Sequence, residues 1–284
     1  MAKLKNLAAC ASNRLQQASE LPGNEARIEV RTLLQHSLGG VSHAWLIAHG
    51  DDPVTDELRA RFENLLARRI HGEPIAHILG KREFFGREFL VTPATLIPRP
   101  DTEILVETAL AKILPDQPYG ILDMGTGTGA IGITLGLERP RSRVMLLDFS
   151  VAALNVARDN IQLLAAHNVR AILSDWFAAV QGQRFDLIVS NPPYIEAADP
   201  HLRQGDLRFE PVTALASGED GLDDIRRIAA QAALHLAPSG WLMFEHGYNQ
   251  GSAVRSILQR HAFKNIYTQQ DLAGHDRVTL GQHT

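Results

Sequence analysis

Ile121-Leu122-Asp123-Met124-Gly125-Thr126-Gly127-Thr128-Gly129-Ala130 reads as a short apolar strand, a glycine loop and the opening of a helix. Glycines at alternate positions let the backbone turn tightly and approach a ligand where side chains would collide. Further apolar runs follow at intervals that leave room for helices: Val144-Met145-Leu146-Leu147, Ala171-Ile172-Leu173, Phe185-Asp186-Leu187-Ile188-Val189 and Trp241-Leu242-Met243-Phe244. Continuous apolar strands alternating with helical patterns belong to a parallel sheet covered on both faces, so residues 101–284 are predicted to form a doubly wound α/β domain. The last two runs, Asn265-Ile266-Tyr267-Thr268 and Arg277-Val278-Thr279-Leu280, have no helical stretch between them and are expected to pair antiparallel.

Upstream the period changes. Across residues 1–79 apolar positions recur at three- and four-residue steps, as in Leu58, Phe62, Leu65 and Leu66, which predicts a small helical domain. Turn signals at Leu21-Pro22-Gly23-Asn24, Gly39-Gly40 and Gly50-Asp51-Asp52-Pro53 divide it, and Thr55 or Asp56 is placed to cap the helix that follows. Residues 80–100 hold the alternating stretch Glu83-Phe84-Phe85-Gly86-Arg87-Glu88-Phe89, read as a β-hairpin linker turning near Gly86. Ile97-Pro98-Arg99-Pro100 stops regular structure, and a helix is expected to open at Asp101-Thr102-Glu103.

Composition narrows the class. At 284 residues the chain exceeds the roughly 100–200 typical of one domain, so two domains are expected. Apolar residues at 45% and charged residues at 21% describe a fully folded globular chain. The first hundred residues hold 13 Lys/Arg and 11 Asp/Glu, the remainder 15 and 21, which is no dedicated nucleic-acid surface. A single cysteine, Cys10, excludes an intrachain disulfide framework and a Cys-rich zinc site, and points to a reducing cytoplasm. The twelve histidines lack metal-ligand spacing, so no metal is expected. No signal pattern opens the chain, and no stretch approaches the ~20 apolar residues of a membrane span.

Asp148, ending the second strand of the α/β domain, is placed to accept from ribose hydroxyls, which makes the glycine loop a nucleoside site. Gly125-x-Gly127-x-x-Ala130 also fits the dinucleotide fingerprint, so the loop alone admits both NAD and S-adenosylmethionine. A dinucleotide needs the helix N-terminus for its pyrophosphate. S-adenosylmethionine has no phosphate but carries an ammonium group, which the acid just inside the strand, Asp123, suits; this favours S-adenosylmethionine.

Asn191-Pro192-Pro193-Tyr194 follows the fourth run, Phe185–Val189. In doubly wound sheets ligands bind outside the carboxyl ends of the strands where strand order reverses, commonly between the first and fourth. The glycine loop and this tetrapeptide therefore converge on one crevice. An amide or aromatic amine nitrogen is a poor nucleophile because its lone pair is delocalised, and two acceptors on its hydrogens both aim it and weaken that delocalisation. The Asn191 side-chain oxygen is one and the Pro192 backbone carbonyl, held outward by the rigid Pro-Pro pair, is the other. Tyr194 offers a flat face to a planar group. No strong general base is needed, in keeping with the lack of an evident His or Glu beside the motif. Taken alone, Pro-Pro also ends a strand and Asn caps a turn.

Together with Gly72-Glu73-Pro74-Ile75-Ala76-His77, the run Phe89 to Leu96, Ile97-Pro98-Arg99-Pro100-Asp101-Thr102-Glu103, Ser174-Asp175-Trp176-Phe177 and Arg208-Phe209-Glu210-Pro211, these motifs resemble the bacterial release-factor glutamine methyltransferases. The resemblance implies a seven-stranded, mostly parallel class I methyltransferase sheet. It implies methyl transfer from S-adenosyl-L-methionine, leaving S-adenosyl-L-homocysteine, to the side-chain nitrogen of the glutamine in the Gly-Gly-Gln motif of peptide-chain release factors. It further implies cofactor contacts at Gly125, Thr126, Gly127, Thr128, Gly129, Asp148, Trp176 and Asn191, glutamine contacts at Asn191, Pro192, Pro193 and Tyr194, and a helical domain that grips the protein substrate. The expected partner is the release factor, bound by a monomer without stable nucleic acid.

Two relatives of the reaction remain open. A sister family methylates a ribosomal-protein glutamine and departs after the Pro-Arg step, where this chain has Pro100-Asp101-Thr102-Glu103 as the release-factor type does. An adenine-N6 methyltransferase uses the same tetrapeptide on a flipped base, usually beside a basic DNA-binding domain that the near-neutral first hundred residues do not resemble. A chain that only docks a partner would show no affinity for S-adenosylmethionine.

Overall fold

The computed structural model describes residues 3–19 and 21–284, which fall into two compact units, Met1–Gly80 and Lys81–Thr284. Met1, Ala2 and Glu20, within the helical stretch expected over 1–79, lie outside the described residues.

The first unit comprises helices α1 (Leu4–Ala18), α2 (Gly23–Ser37), α3 (His43–Ala48), α4 (Asp56–Ile70) and α5 (Ile75–Leu79). Leu4, Leu7, Ala11 and Leu15 on α1, Ala26, Val30, Leu33 and Leu34 on α2, and Leu58, Phe62 and Leu66 on α4 form one buried stripe per helix and meet in a single core. Ser42 and Thr55 cap α3 and α4 by accepting from the Trp45 and Leu58 amides. Arg69 on α4 is buried and forks onto Glu29 of α2 at 2.7 and 3.0 Å, so its charge is paired across the two helices.

The second unit opens with the hairpin β1 (Lys81–Phe84) and β2 (Arg87–Leu90). Its two turn residues, Phe85 and Gly86, both have positive φ, the conformation that matches a two-residue turn to strand twist. The hairpin is part of this unit's core, since Phe84 and Phe89 are buried there in edge-to-face contact; two strands alone cannot bury such rings. Then follow α6 (Glu103–Leu110), β3 (Gly120–Met124), α7 (Ala130–Glu138), β4 (Arg143–Asp148), α8 (Val151–Leu163), β5 (Val169–Leu173), β6 (Phe185–Ser190), α9 (Asp223–His235), β7 (Leu236–Glu245), α10 (Gly251–Arg260), β8 (Lys264–Gln270) and β9 (Asp276–Gln282).

Seven of these strands form one sheet in the order β5-β4-β3-β6-β7-β9-β8. The pairs among β3 to β7 are parallel, while β9 runs antiparallel to both β7 and β8. This is the doubly wound, mostly parallel sheet that the alternating runs predict. Alternate residues feed two cores: Ile121, Leu146, Leu187 and Met243 pack with α6 and α7, whereas Leu122, Leu147, Ile188 and Leu242 pack with α9 and α10. Strand order reverses between β3 and β6, where Met124 pairs with Ser190. No helix among the described residues is long and apolar enough to cross a membrane.

Helix α7 lies close on the sheet because Gly132 has no side chain. A Cβ there would stand 2.1 Å from Leu146 Cδ2 and 3.0 Å from Asp123 Cβ, both fully buried residues. Gly132→Ala gains about 1 kcal/mol of helix propensity, but overpacking a closed core typically costs about 1–3 kcal/mol. The variant is expected to lose stability overall, read as a lower urea midpoint at unchanged slope. A higher midpoint would show that α7 has room to move.

Candidate active site

A hollow of about 740 Å³ opens at the carboxyl ends of β3, β4 and β6, a size usual for a small-molecule site. Gly125, Thr126, Gly127, Thr128, Asp148, Trp176, Asn191 and Pro193 all line it. Gly125, Gly127 and Gly129 adopt positive φ, so the loop depends on glycine at each turn. Gly129 stands one step behind the wall, where a Cβ would meet Ile133 Cδ1 at 2.6 Å.

The loop is fastened from beneath. The Gly125 and Thr126 amides donate to the Leu147 carbonyl at 2.9 and 3.0 Å, and the Gly127 amide donates to Asp148 Oδ2 at 2.9 Å. Asp148 Oδ1 accepts from the Ser150 amide; burial pushes its pKa up, and the Ser150, Gly127 and Phe149 amides oppose the rise. The Thr126 hydroxyl turns inward to donate to Asp123 Oδ2 at 2.6 Å, beside the Gly132 amide at 3.0 Å. Thr128 is buried too, its carbonyl accepting from Asn160. Asp123 is fully buried, its pKa pushed up to about 6 by desolvation, and its Oδ1 has no hydrogen-bond partner.

Trp176 follows β5 at φ 46°, held by the Ser174 hydroxyl donating to its carbonyl at 2.6 Å. Its indole edge would lie 3.7 Å from a Cβ on Gly125, which puts the ring over the glycine loop. On the other side of the switch point Asn191 Nδ2 donates to Thr102 Oγ1 at 3.3 Å. With one of its two amide hydrogens so engaged, Asn191 keeps its side-chain oxygen as an acceptor for a ligand.

The rest of the tetrapeptide departs from the simplest expectation. Pro192 is buried and is not among the residues that line the hollow. Tyr194 does not line it either: its hydroxyl donates to Glu245 Oε1 at 3.3 Å, and its amide donates to the Leu215 carbonyl at 3.2 Å. A glutamate does stand beside the motif, contrary to the reading that none does. Ser190 pairs with Phe244 across β6 and β7, so the register carries the motif past Glu245 even though 51 residues separate Glu245 from Tyr194.

The molecule's likeness to known proteins agrees with this geometry. Residues 6–80 match the PrmC N-terminal domain and residues 101–205 the Methyltransferase small domain. The chain is 48% identical to the release factor glutamine methyltransferase of Escherichia coli over 94% of each chain. It is 49% identical to that of Vibrio cholerae over 96% of this chain and 94% of the other. The chain belongs to the release factor glutamine methyltransferase family. A methyltransferase from Pyrococcus furiosus, 18% identical with a TM-score of 0.53 over 78% of this chain and 98% of its own, shares the fold.

As a member of this family the methyltransferase uses S-adenosylmethionine, and the hollow fits that molecule. It has the volume, a glycine loop, a carboxylate at the end of β4, an indole over the loop, and an orphaned carboxylate oxygen, Asp123 Oδ1, beneath it. The wall facing the loop is stitched by Glu210, whose side chain is wholly buried. It accepts from the Ile97 amide at 3.0 Å and pairs with the Arg99 guanidinium 111 residues away. Arg99 and Pro211 line the hollow, so this pair fixes two stretches of its wall to one another. Both segments stand out in the sequence as motifs, but only the fold reveals that they meet.

The buried Asp123 carboxyl makes a testable signature in stability. Its folded pKa of about 6 lies above the ordinary 3.8, so the native state binds the extra proton, and the wild type loses stability as pH rises from about 4 through 6. Asp123→Asn cannot titrate. Its stability minus that of the wild type, from urea unfolding without cofactor, is expected to rise by roughly 3 kcal/mol over that window and level off above it. A difference independent of pH would mean that Asp123 is ionised at little cost.

Proposed function

We propose that the Asn191 side-chain oxygen and the Pro192 carbonyl accept the two N–H groups of a glutamine side chain in the Gly-Gly-Gln motif of a peptide-chain release factor. They thereby aim its nitrogen at a methyl donor held by the loop Gly125–Gly129, Asp148 and Trp176. The observation that carries this reading is the pairing of Met124 with Ser190, which sets the glycine loop and Asn191 side by side on one hollow. When bound, S-adenosylmethionine supplies an electrophilic methyl group on a sulfonium.

The residues supply alignment and polarity. Holding two reactants in line is worth ~7–11 kcal/mol of barrier. As the amide nitrogen gains positive charge its N–H groups acidify, and acceptors placed in advance gain strength at that moment. The Asp148 carboxylate suits ribose hydroxyls, the Trp176 face suits a purine, and Asp123 suits an ammonium group reached directly or through water. Tyr194, turned to Glu245, is assigned here to holding the tetrapeptide in place. The helical unit 1–80 is assigned to recognition of the protein substrate, which places the work with the translation machinery of the cytoplasm. The working unit is taken to be a monomer.

A methyl-transfer assay offering release factor, ribosomal protein and DNA in parallel is expected to label the release factor; label confined to either of the others overturns the substrate. Asn191→Ala is expected to lower kcat by ~10²–10³ with a smaller effect on cofactor affinity, and undiminished turnover would remove Asn191 from the acceptor role. Asp148→Ala is expected to weaken cofactor binding foremost, measured by calorimetry. Unchanged affinity would reject the ribose contact.

A further inference from the structure

Beside its sulfonium, S-adenosylmethionine carries ribose hydroxyls, an ammonium group and a carboxylate. Asp148 and Asp123 suit the first two, and the carboxylate has no partner in either. Strand order along the mouth of the hollow lays out where it must go: Trp176 follows β5, Asp148 ends β4, the glycine loop follows β3 and Asn191 follows β6. Purine, ribose and amino-acid tail therefore run in that direction, with the tail next to Asn191. Two cations line the hollow among the described residues, Arg99 and Arg227. Arg227, on α9, pairs at 2.7 Å with Asp175, the neighbour of Trp176, and so belongs to the purine end. Arg99 stands at the tail end. Its segment starts against the glycine loop, where a Cβ on Gly127 would lie 4.0 Å from Thr95 Cβ, and finishes at Thr102, which receives the Asn191 amide at 3.3 Å.

We propose that the Arg99 guanidinium is the partner of the cofactor's carboxylate, held in position for it by Glu210. This rests on the reading above that sets the ammonium group at Asp123, because both groups hang on one carbon. A guanidinium has five N–H donors. In Arg99 only Nη2 is engaged, by Glu210 Oε1; the other Glu210 oxygen is taken by the Ile97 amide at 3.0 Å. The pair is thus a single-corner contact and not a two-bond fork. Arg99 Nε and Nη1 have no partner among the described residues and are not buried, and the side chain is 35% exposed where that of Glu210 is 0%. These free donors belong to a residue that lines the hollow.

A guanidinium matches a carboxylate in plane and spacing, and it stays charged at every working pH. Glu210 contributes by immobility. Wholly buried and fastened to the Ile97 amide, it pins one corner of the guanidinium, so little side-chain freedom is left to lose when a ligand arrives. The glutamine side chain is neutral and makes no such demand for a cation.

Calorimetry on the full-length enzyme tests this with two ligands, S-adenosylmethionine and decarboxylated S-adenosylmethionine, which keeps the sulfonium, the amine and the nucleoside. Wild type is expected to bind the first at least about tenfold more tightly, the range of a charge-assisted hydrogen bond. In Arg99→Gln that preference is expected to shrink to within about threefold, through weaker binding of S-adenosylmethionine while the decarboxylated ligand binds as before or tighter. A loss shared equally by both ligands makes Arg99 a prop of the wall and overturns the proposal. So does a preference that survives the substitution, or a variant whose only change is a raised KM for release factor. Should the unpaired Glu210 unfold the single variant, Arg99→Gln combined with Glu210→Gln removes the buried charge, and the same ratio decides. Failure of the ammonium placement shows separately, as an Asp123→Asn enzyme that binds the decarboxylated ligand as tightly as wild type does.

Discussion

Where β3 and β6 end, Ser190 donates its hydroxyl to the Met124 carbonyl at 2.7 Å, and on either side of that bond the chain leaves the sheet. One exit is the glycine loop, the other the Asn-Pro-Pro-Tyr turn. Parallel pairing obliges both strands to finish at the same edge, and the reversal of strand order at β3 and β6 sends their following helices to opposite faces, so nothing fills the space above. The hollow is a consequence of topology. Ser190 is wholly buried, and its hydrogen bond is what makes a polar side chain admissible at that depth.

Onto this edge the molecule places two carboxyl groups where water does not reach. Asp123 underlies the glycine loop and Glu245 underlies the tetrapeptide, and burial raises both above their ordinary values. A raise of about two pH units corresponds to roughly 3 kcal/mol carried by the folded state at neutral pH, a large share of the ~5–15 kcal/mol that holds a domain together. Each has an oxygen with no partner. An amide or an apolar residue would sit there at less expense, so the carboxyls stand out by where they are: one holds the glycine loop from below through Thr126, the other accepts from the tetrapeptide's Tyr194.

The sheet was legible in the sequence because its information is local. Each apolar run of four or five residues is one buried strand, and the lack of a helix between Asn265–Thr268 and Arg277–Leu280 foretells the antiparallel β8–β9 pair. The glycine loop was legible for the same reason, its three turns lying within five residues. Contacts that close over long separations were not. Glu210 meets Arg99 across 111 residues and Asn191 meets Thr102 across 89, and no periodicity encodes such meetings. Glu245 reads as the polar end of the run Trp241–Phe244; only the parallel register of β6 and β7 brings it under Tyr194. The direction of Tyr194 was likewise hidden, because a phenol serves equally as a flat wall or as a donor, and a buried acceptor decides for the second.

The division between local and distant contacts is also a division of labour. The fold is common to a methyltransferase only 18% identical, so the sheet by itself specifies a place for a methyl donor and little about the acceptor. The rest of the hollow is walled by what lies outside the strands: the 97–103 segment tied down by Glu210 and Arg277, the turn after β6, and the 205–217 stretch that pairs with it through Ile195 and Ala216. These segments have short 3-10 turns and few long helices to hold them, and their order comes from ion pairs and backbone hydrogen bonds to one another. Such contacts fix direction better than apolar packing does, since a hydrogen bond weakens steeply off line while a methyl contact does not. For a reaction whose nucleophile is a delocalised amide nitrogen, direction is the scarce quantity, and the polar stitching of these loops is where the molecule supplies it.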